Sequence, residues 1–169
     1  MIRVENIKKY FPIKGGFFNK KTGDVKAVEN VSFEIPEGEI LGLVGESGSG
    51  KSTLGRSLIR LIEPSNGKIF YNKKDITEFS EKEMRKLRKD FQIIFQDPYA
   101  SLDPRKKIFD IISQGISIHS KMNKSQIYDK VLEIIKDVGL QEEHLSRYPH
   151  EFSGGQRQRI GIARALVLD

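Results

Sequence analysis

A glycine- and serine-rich octapeptide constrains this chain more than any other feature of its sequence. Residues 45–52 read GESGSGKS and match the pattern G-x-x-x-x-G-K-[ST]. The glycines permit backbone angles that turn successive N–H groups toward one anion. Lys51 adds a cation for the β- and γ-phosphates, and Ser52 adds a hydroxyl for Mg²⁺. The octapeptide therefore predicts a site for the phosphates of a nucleotide.

The residues on either side of the octapeptide supply the structural context that such a site needs. The apolar run ILGLV at Ile40–Val44 predicts a strand buried on both faces. After the octapeptide, apolar residues recur at helical spacing up to a stop at Pro64 and Gly67; they are Leu54, Leu58, Leu61 and Ile62. Strand, loop and helix in this order form the first half of a βαβ unit, whose helix directs its positive N-terminus at the anion.

The rest of the chain divides into a strand-rich first part and a helical second part. Strands are predicted at residues 2–4, 31–35, 68–71 and 91–95, with a turn at residues 36–39. A capping box at Ser80 and Glu83 opens a helix that runs to about Lys89. Residues 108–138 are mostly helical and stop at Gly139, and a last helix starts at Ser153. This pattern predicts an α/β core with an attached helical subdomain.

Composition narrows the class of protein without choosing a function. The 169 residues suit one domain, and the absence of cysteine excludes disulfides and thiolate metal sites. No apolar run approaches the ~20 residues of a membrane-spanning helix, and the first residues do not resemble a secretory signal. The net charge of +6 comes from scattered lysines and arginines. Charge alone therefore does not separate nucleic acid, a membrane surface or a small anion as the partner.

A second anion site is predicted at the start of the last helix. Residues 152–156 read FSGGQ, in which Ser153 can cap the helix while two glycines let a phosphate approach the backbone. The turn lies about 100 residues after the octapeptide, which is a P-loop. In that position it resembles the signature of the ABC-transporter ATPase family, with phenylalanine where leucine is commoner. The resemblance covers essentially the whole chain.

Two further residues match this family's pattern. Gln96 follows the predicted strand at residues 91–95 and matches the glutamine that contacts Mg²⁺ or the attacking water. Tyr10 matches the aromatic residue on which the family stacks adenine, although an insertion from Pro12 to Asp24 follows it. On the residues alone, Gln96 is also compatible with an exposed loop amide, and Tyr10 with an aromatic residue of the core.

By the resemblance, the fold is a P-loop NTPase (RecA-like) α/β core with an N-terminal antiparallel β subdomain and an inserted helical subdomain. The expected parts are a β subdomain and P-loop core (about 1–95), a Q-loop and helical subdomain (about 96–152) and a signature helix (153–169). The residues expected to bind ATP are Tyr10, Gly45, Glu46, Ser47, Gly48, Ser49, Gly50, Lys51, Ser52 and Thr53. Those expected to contact ATP bound by a partner are Ser153, Gly154, Gly155 and Gln156. Ser52 and Gln96 are the expected contacts of Mg²⁺.

Three segments resemble one subfamily, the dipeptide and oligopeptide (and nickel) importers: residues 97–105 (DPYASLDPR), 147–152 (RYPHEF) and 14–18 (KGGFF). The resemblance implies a subunit that uses ATP at the cytoplasmic face of the cell membrane. Its implied partners are two permeases, a second ABC ATPase that binds head to tail and an extracytoplasmic peptide-binding protein, with no nucleic acid. Two alternatives stay open: a soluble ABC-type ATPase acting on nucleic acid or the ribosome, and a non-catalytic nucleotide-binding fragment.

The family's remaining catalytic groups have no match in these residues. Asp169 lies 13 residues after Gln156, earlier than the family's Walker B aspartate, and reads as a helix-end residue. His119, His144 and His150 all precede the signature, so none matches the switch histidine. We expect a core that is incomplete at the C-terminus, with an unpaired sheet edge and low stability. We also expect weak nucleotide binding and negligible hydrolysis by these residues alone.

Overall fold

The computed structural model describes residues 1–15 and 20–168. They fall into two compact units, Met1–Met84 and Arg85–Asp169, and the boundary lies within one helix, α2 (Glu81–Leu87). Gly16, Phe17 and Phe18 of the importer-like segment lie outside the described residues, as does Asp169.

The first unit is built on a four-stranded antiparallel sheet. Its strands are β1 (Ile2–Gly15), β2 (Lys20–Ile35), β3 (Asn66–Tyr71) and β4 (Lys74–Asp75), in the spatial order β2-β1-β3-β4. Val4 pairs with Phe33 on β2 and with Ile69 on β3, and the Val4 and Ile69 side chains are buried. The strands predicted at residues 2–4, 31–35 and 68–71 are therefore confirmed.

The first hairpin is much longer than its predicted strands. Pairing of β1 with β2 continues through Phe11 opposite Val25 to Gly15 opposite Lys20, so the described part of the predicted insertion is sheet. The pairing of β1 with β3 ends at Lys8 opposite Asn66. Beyond that point the hairpin has only two strands, and this leaves Phe11 and Val25 exposed.

Helix α1 (Lys51–Leu58) ends earlier than the apolar pattern predicted. The N–H of Arg60 donates to the carbonyl of Ser57 (3.0 Å) and that of Leu61 to the carbonyl of Arg56 (2.9 Å). These bonds form a Schellman stop with Arg60 in the left-handed region at φ 50°. The guanidinium of Arg60 donates to the carbonyls of Ile76 (3.0 Å) and Phe79 (2.6 Å), which holds this strained residue in place.

Two predicted strands are wrong. Residues 40–44 and 91–95 form neither a strand nor a helix, and Ile40 and Val44 are 99% and 94% exposed. A strand buried on both faces needs a backbone partner on each side, and neither segment pairs with another strand in the part of the chain that is described. The apolar pattern predicted burial but carried no information about the partner. The turn at residues 36–39 is present, with Gly38 at φ 78°.

The second unit is helical. Its elements are α3 (Ile108–His119), α4 (Lys124–Asp137), two short 3₁₀ helices (Glu142–Ser146 and Pro149–Glu151) and α5 (Gly154–Leu166). They pack around one apolar cluster, in which the most enclosed residues are Ile108, Ile112, Val131, Ile135, Ile160 and Ala163. None of the helices in the described ranges is long and apolar enough to cross a membrane.

Local capping signals define the ends of these helices. Ser80 and Glu83 form the predicted capping box before α2, which ends at Leu87 rather than Lys89. The helical region at residues 108–138 is two helices, because Asn123 and Gln126 form a second capping box that starts α4. Gly139, at φ 73°, ends α4 in the predicted left-handed conformation.

Candidate nucleotide-binding site

The octapeptide forms a tight turn that ends in α1. The N–H of Ser49 donates to the carbonyl of Glu46 (3.2 Å), and Gly48 and Gly50 adopt φ values of 81° and 92°. These two glycines occupy a backbone region that other residues rarely adopt. Of these two, Gly50 is a fixed position of the motif and has the conformational freedom predicted for it, whereas Gly48 is not fixed by the motif and the fixed Gly45 has no positive φ.

Gly50 also fits against β2 with no room for a side chain. A Cβ atom on Gly50 would lie 2.1 Å from the backbone oxygen of Ala27. The start of α1 therefore lies directly against β2, and the absence of a side chain at residue 50 permits this approach.

Lys51 folds its side chain back over the turn. Its Nζ donates to the carbonyls of Gly45 (2.7 Å) and Glu46 and to the hydroxyl of Ser49 (3.3 Å). Three oxygen acceptors from the same loop therefore hold the ammonium group above it. The positive charge predicted to contact phosphate is thus held in place by the turn itself.

The N-terminus of α1 adds a partial positive charge at the same place. The N–H of Leu54 donates to the carbonyl of Gly50 (2.8 Å), which starts the helix, and no acidic residue lies in the first turn. Unpaired N–H groups and the helix dipole make such an end favourable for anions. Ser52, which is exposed, and Thr53 both lie in this first turn.

A cleft of about 280 Å³ lies between β2 and the start of α1. Ala27, Val28 and Glu29 line one wall, and Ser49, Gly50 and Lys51 line the other. Its lining thus combines an apolar surface, one carboxylate and the lysine of the turn.

Tyr10 is joined to this cleft through Glu29. The Tyr10 hydroxyl donates to the Glu29 carboxylate, whose two oxygens both lie 2.8 Å away. This hydrogen bond, with desolvation and the charges of Glu29 and Asp24, raises the pKa of Tyr10. The same bond, together with Lys8 and Lys26, lowers the pKa of Glu29 although desolvation opposes the change. The tyrosine predicted to stack on adenine is thus half-buried and fixed at its hydroxyl end.

The signature turn lies in the second unit and begins α5. Ser153 accepts a hydrogen bond from the N–H of Gln156 (3.3 Å), and the Gln156 side chain accepts one from the N–H of Ser153 (3.0 Å). This reciprocal capping box satisfies two N–H groups of the helix start. The sequence predicted the serine cap, and Gln156 completes it.

An open cleft of about 600 Å³ adjoins this turn. Ser153, Gly155, Gln156 and Arg159 of the signature helix line it together with His144. The Arg159 guanidinium is directed to the end of α4, where it donates to the carbonyls of Val138 (3.3 Å) and Gly139 (3.4 Å). A Cβ on Gly139 would lie 2.6 Å from Arg159 Nη1. A side chain at residue 139 would therefore displace the flexible end of Arg159, in addition to the strain that the φ of 73° would impose.

Gln96 lies in an exposed loop of the second unit, immediately before residues 97–105. The sequence paired Gln96 with Ser52 as contacts of Mg²⁺, and these two residues belong to different units, so their shared site stays a prediction. No group of three or more acidic or histidine side chains suited to a metal occurs among the described residues.

Several residues that support these sites are not evident from the sequence. Glu29 fixes Tyr10, Arg159 joins α5 to α4, and Arg164 donates to the backbone oxygen of Ser101 (2.6 Å). The arginine-rich sequence that follows the signature was the available signal, but it does not specify which carbonyl each arginine contacts.

A P-loop on the N-terminus of a helix, together with a capped glycine turn that opens a helix of a second unit, defines an ATP-binding cassette. The comparisons with known proteins agree: the family model described as ABC transporter matches residues 28–169. The chain belongs to this family.

The chain is similar along its whole length to two transport proteins. It is 52% identical to the oligopeptide transport ATP-binding protein AppF of Bacillus subtilis (strain 168) over 170 residues, which cover 100% of this chain and 52% of AppF. It is 51% identical over 169 residues to the glutathione import ATP-binding protein GsiA of Escherichia coli (strain K12), covering 100% of this chain and 27% of GsiA. The chain thus spans about half the length of one relative and about a quarter of the other.

The fold matches a solved cassette. The dimeric structure of a post-hydrolysis state of the ATP-binding cassette MJ0796, bound to ADP and Pi, aligns with a TM-score of 0.86 and 27% identity. The alignment covers 99% of this chain and 69% of that one. The α/β cassette fold predicted from the sequence is therefore confirmed.

Proposed function

We propose that this chain is the ATP-binding part of an ABC importer subunit that couples ATP binding and hydrolysis to uptake of di- or oligopeptides. The arrangement around Lys51 supports ATP binding most directly. A loop with two left-handed glycines, an ammonium group held over the loop and the positive end of α1 together suit a polyphosphate.

In this proposal the two units have different roles toward ATP. The turn at residues 45–53 binds the phosphates and Tyr10 stacks on the adenine ring, while Ser52 and Gln96 contact Mg²⁺. Ser153, Gly154, Gly155 and Gln156 of the second unit contact ATP held by a partner cassette. The open cleft on the Ser153 and Gly155 side of α5 supports this role, since it leaves the start of the helix accessible.

Peptide import is supported by the names of the relatives and by residues 97–105, which match the importer subfamily. The partners that we propose are two membrane permeases, a second ABC ATPase and an extracytoplasmic peptide-binding protein. The subunit would then lie at the cytoplasmic face of the cell membrane.

Hydrolysis is proposed to need more than the described residues. Glu29 is the carboxylate among the residues that line the P-loop cleft, and it accepts from Tyr10 and pairs with Lys8 (3.3 Å) and Lys26 (3.5 Å). These contacts stabilise the ionised form and lower its pKa, which makes Glu29 a weak base for activating water. We propose that Glu29 fixes Tyr10 and that the catalytic groups of the family are not among these residues. Robust ATPase activity of the 169 residues alone would contradict this part of the proposal.

ATP binding is tested by replacing Lys51. Lys51→Ala removes a charge-assisted hydrogen bond to phosphate, which contributes about 1.5–3 kcal/mol and corresponds to a ~10- to 150-fold rise in the Kd for a fluorescent ATP analogue. Lys68→Ala is the matched control, because Lys68 is an exposed lysine on β3 of the same unit. An unchanged Kd for Lys51→Ala would overturn the proposed binding site.

The importer role needs a separate experiment. The tagged subunit, purified from membranes of its own organism, should retain permease subunits and no nucleic acid. Retention of nucleic acid or ribosomes in place of permeases would favour the soluble alternative.

A further inference from the structure

The segment that follows Gln96 is folded into one turn by its own first residue. The Asp97 carboxylate accepts from the N–H groups of Tyr99 (2.8 Å) and Ala100 (3.2 Å). This short-range pairing fixes the backbone of the turn and determines where the Tyr99 ring projects. The ring remains 63% exposed, so burial in the core does not explain its position.

The Tyr99 ring contacts the first turn of α5. The Arg157 guanidinium carbon lies 4.1 Å from the centre of the Tyr99 ring. The same guanidinium donates through Nε to the carbonyl of Phe152 (3.0 Å) and through Nη2 to that of His150 (3.4 Å). Arg157 therefore joins the tyrosine ring to His150 and to Phe152, the first residue of the signature.

The ring also covers the first glycine of the signature. A Cβ atom on Gly154 would lie 3.8 Å from the Tyr99 ring, which is ordinary contact distance. The opposite side of the turn, with Ser153 and Gly155, faces the open cleft. Tyr99 thus supports the signature turn on one side and leaves the cleft side accessible.

A second attachment lies further along the same segment. The Arg164 guanidinium donates to the carbonyl of Ser101 (2.6 Å), and Leu102 is 3% exposed within the apolar cluster that also includes α5. Burial lowers the pKa of Arg164. Residues 99–102 are therefore fixed to both the first and the last turns of α5.

The geometry points to Tyr99 and Arg157 as positioning residues, which we name the Tyr99–Arg157 clasp. The clasp holds the segment after Gln96 against the first turn of α5, so that a displacement at Gln96 moves the signature turn with it. This inference rests on the proposed function, in which Gln96 responds to nucleotide and the signature contacts the partner's ATP. It also gives a physical role to Tyr99 within the importer-like segment.

The test is a double-mutant cycle in the subunit assembled with its transporter. Tyr99→Leu removes the π face and Arg157→Met removes the cation, and each should lower kcat for ATP hydrolysis. An exposed cation–π pair is worth about 0.5–1 kcal/mol, so the coupling between the two changes should be ~2- to 5-fold in kcat. KM should stay unchanged, because the P-loop that binds ATP is untouched. Tyr99→Phe, which keeps the ring, should have the same kcat as the parent protein.

Tyr128→Leu is the matched control for loss of a tyrosine from the same unit. Tyr128 is also exposed, but it contacts Phe109 (5.8 Å between ring centres) and donates to Glu142 (2.7 Å). It should leave kcat unchanged. A cycle in which the double variant equals the product of the singles, or a Tyr99→Leu variant that behaves like Tyr128→Leu, would overturn the clasp.

A readout without activity separates this inference from the proposed function. Amide hydrogen exchange of the full-length subunit should be faster at Gln156 and Arg157 in Tyr99→Leu, while exchange in the first turn of α4 should not change. Unchanged exchange at Gln156 and Arg157 would overturn the clasp even if ATP binds as proposed. Faster exchange would support it even if Lys51→Ala had left ATP affinity unchanged.

Discussion

Gly50→Ala tests whether the close approach of the P-loop to β2 positions the nucleotide site. The new Cβ would lie 2.1 Å from the Ala27 oxygen, a distance that requires the backbone to move. It would also place alanine at φ 92°. Left-handed strain costs roughly 1–2 kcal/mol and forced overpacking about 1–3 kcal/mol, so the expected loss of stability is ~2–5 kcal/mol.

Two neighbouring glycines separate these contributions. Gly48 has φ 81°, but none of the described atoms lies within 4 Å of its Cβ position, so Gly48→Ala should cost only the ~1–2 kcal/mol of strain. Gly55 lies in α1, also with open space around its Cβ position. Gly55→Ala should therefore stabilise the protein by about 0.5–1 kcal/mol.

Urea unfolding measures the three free energies, and a fluorescent ATP analogue measures binding. The expected order of stability is Gly55→Ala, parent, Gly48→Ala and Gly50→Ala. Gly50→Ala should also bind ATP most weakly, since α1 and Lys51 must move with the backbone. If Gly50→Ala proved as stable as Gly48→Ala, the contact with Ala27 would not constrain the loop and the reasoning would fail.

Two further predictions concern the signature cap and the adenine side. Ser153→Ala should lose about 1 kcal/mol of stability through the missing cap, and Asn123→Ala should lose a similar amount at α4. Only Ser153→Ala should also weaken ATP-dependent pairing with a second cassette. A Ser153→Ala variant as stable as the parent would contradict the cap. The Tyr10–Glu29 bond should make stability depend on pH at both ends. Its carboxylate part, with a lowered folded pKa, is present above the ordinary value of 4.5 and is lost as pH falls through the folded pKa. Its phenol part, with a raised folded pKa, is present below 10.0 and is lost as pH rises through the folded pKa. Urea midpoints of the parent and Tyr10→Phe should therefore differ most between about pH 5 and 9, and a difference independent of pH would contradict this assignment.

Apart from the three confirmed strands, the features that the sequence predicted correctly depend on residues close together in the chain. The capping boxes at Ser80 and Ser153 and the left-handed stop at Gly139 each involve partners within five positions. The turn at residues 45–52 has the same short-range origin. Such signals specify one conformation whatever the rest of the chain does, and for that reason they could be read without a structure.

The errors in the strands concern partners that are distant in sequence, whereas the early end of α1 and the division of residues 108–138 into two helices come from local stop and cap signals. Residues 40–44 are as apolar as a central strand, but a strand exists only where another strand pairs with it. The extension of β1 to Gly15 was missed for the converse reason, since lysine, proline and glycine obscure the alternation while pairing with β2 determines the strand. The contacts of Arg157 and Arg164 likewise depend on tertiary packing, and the sequence showed only that arginines were present.

Gly155 offers the sharpest distinction between a structural and a functional reading of the signature. Ser153 is explained by its cap, but within the described structure nothing lies within 4 Å of a Cβ on Gly155, so no contact explains why this residue is glycine.

Its φ is not positive, so alanine is compatible with the backbone and should stabilise the protein by about 0.4–1 kcal/mol. Gly161→Ala, in the same helix and also with nothing within 4 Å of its Cβ position, is the control for this gain, although Gly161 is buried and Gly155 is exposed. If Gly155 is small because the partner's phosphate approaches it, Gly155→Ala should raise the urea midpoint as Gly161→Ala does and, unlike that control, lower kcat in the assembled transporter. If Gly155→Ala and Gly161→Ala gained the same stability and both kept the parent kcat, there would be no reason to assign a phosphate to the start of α5.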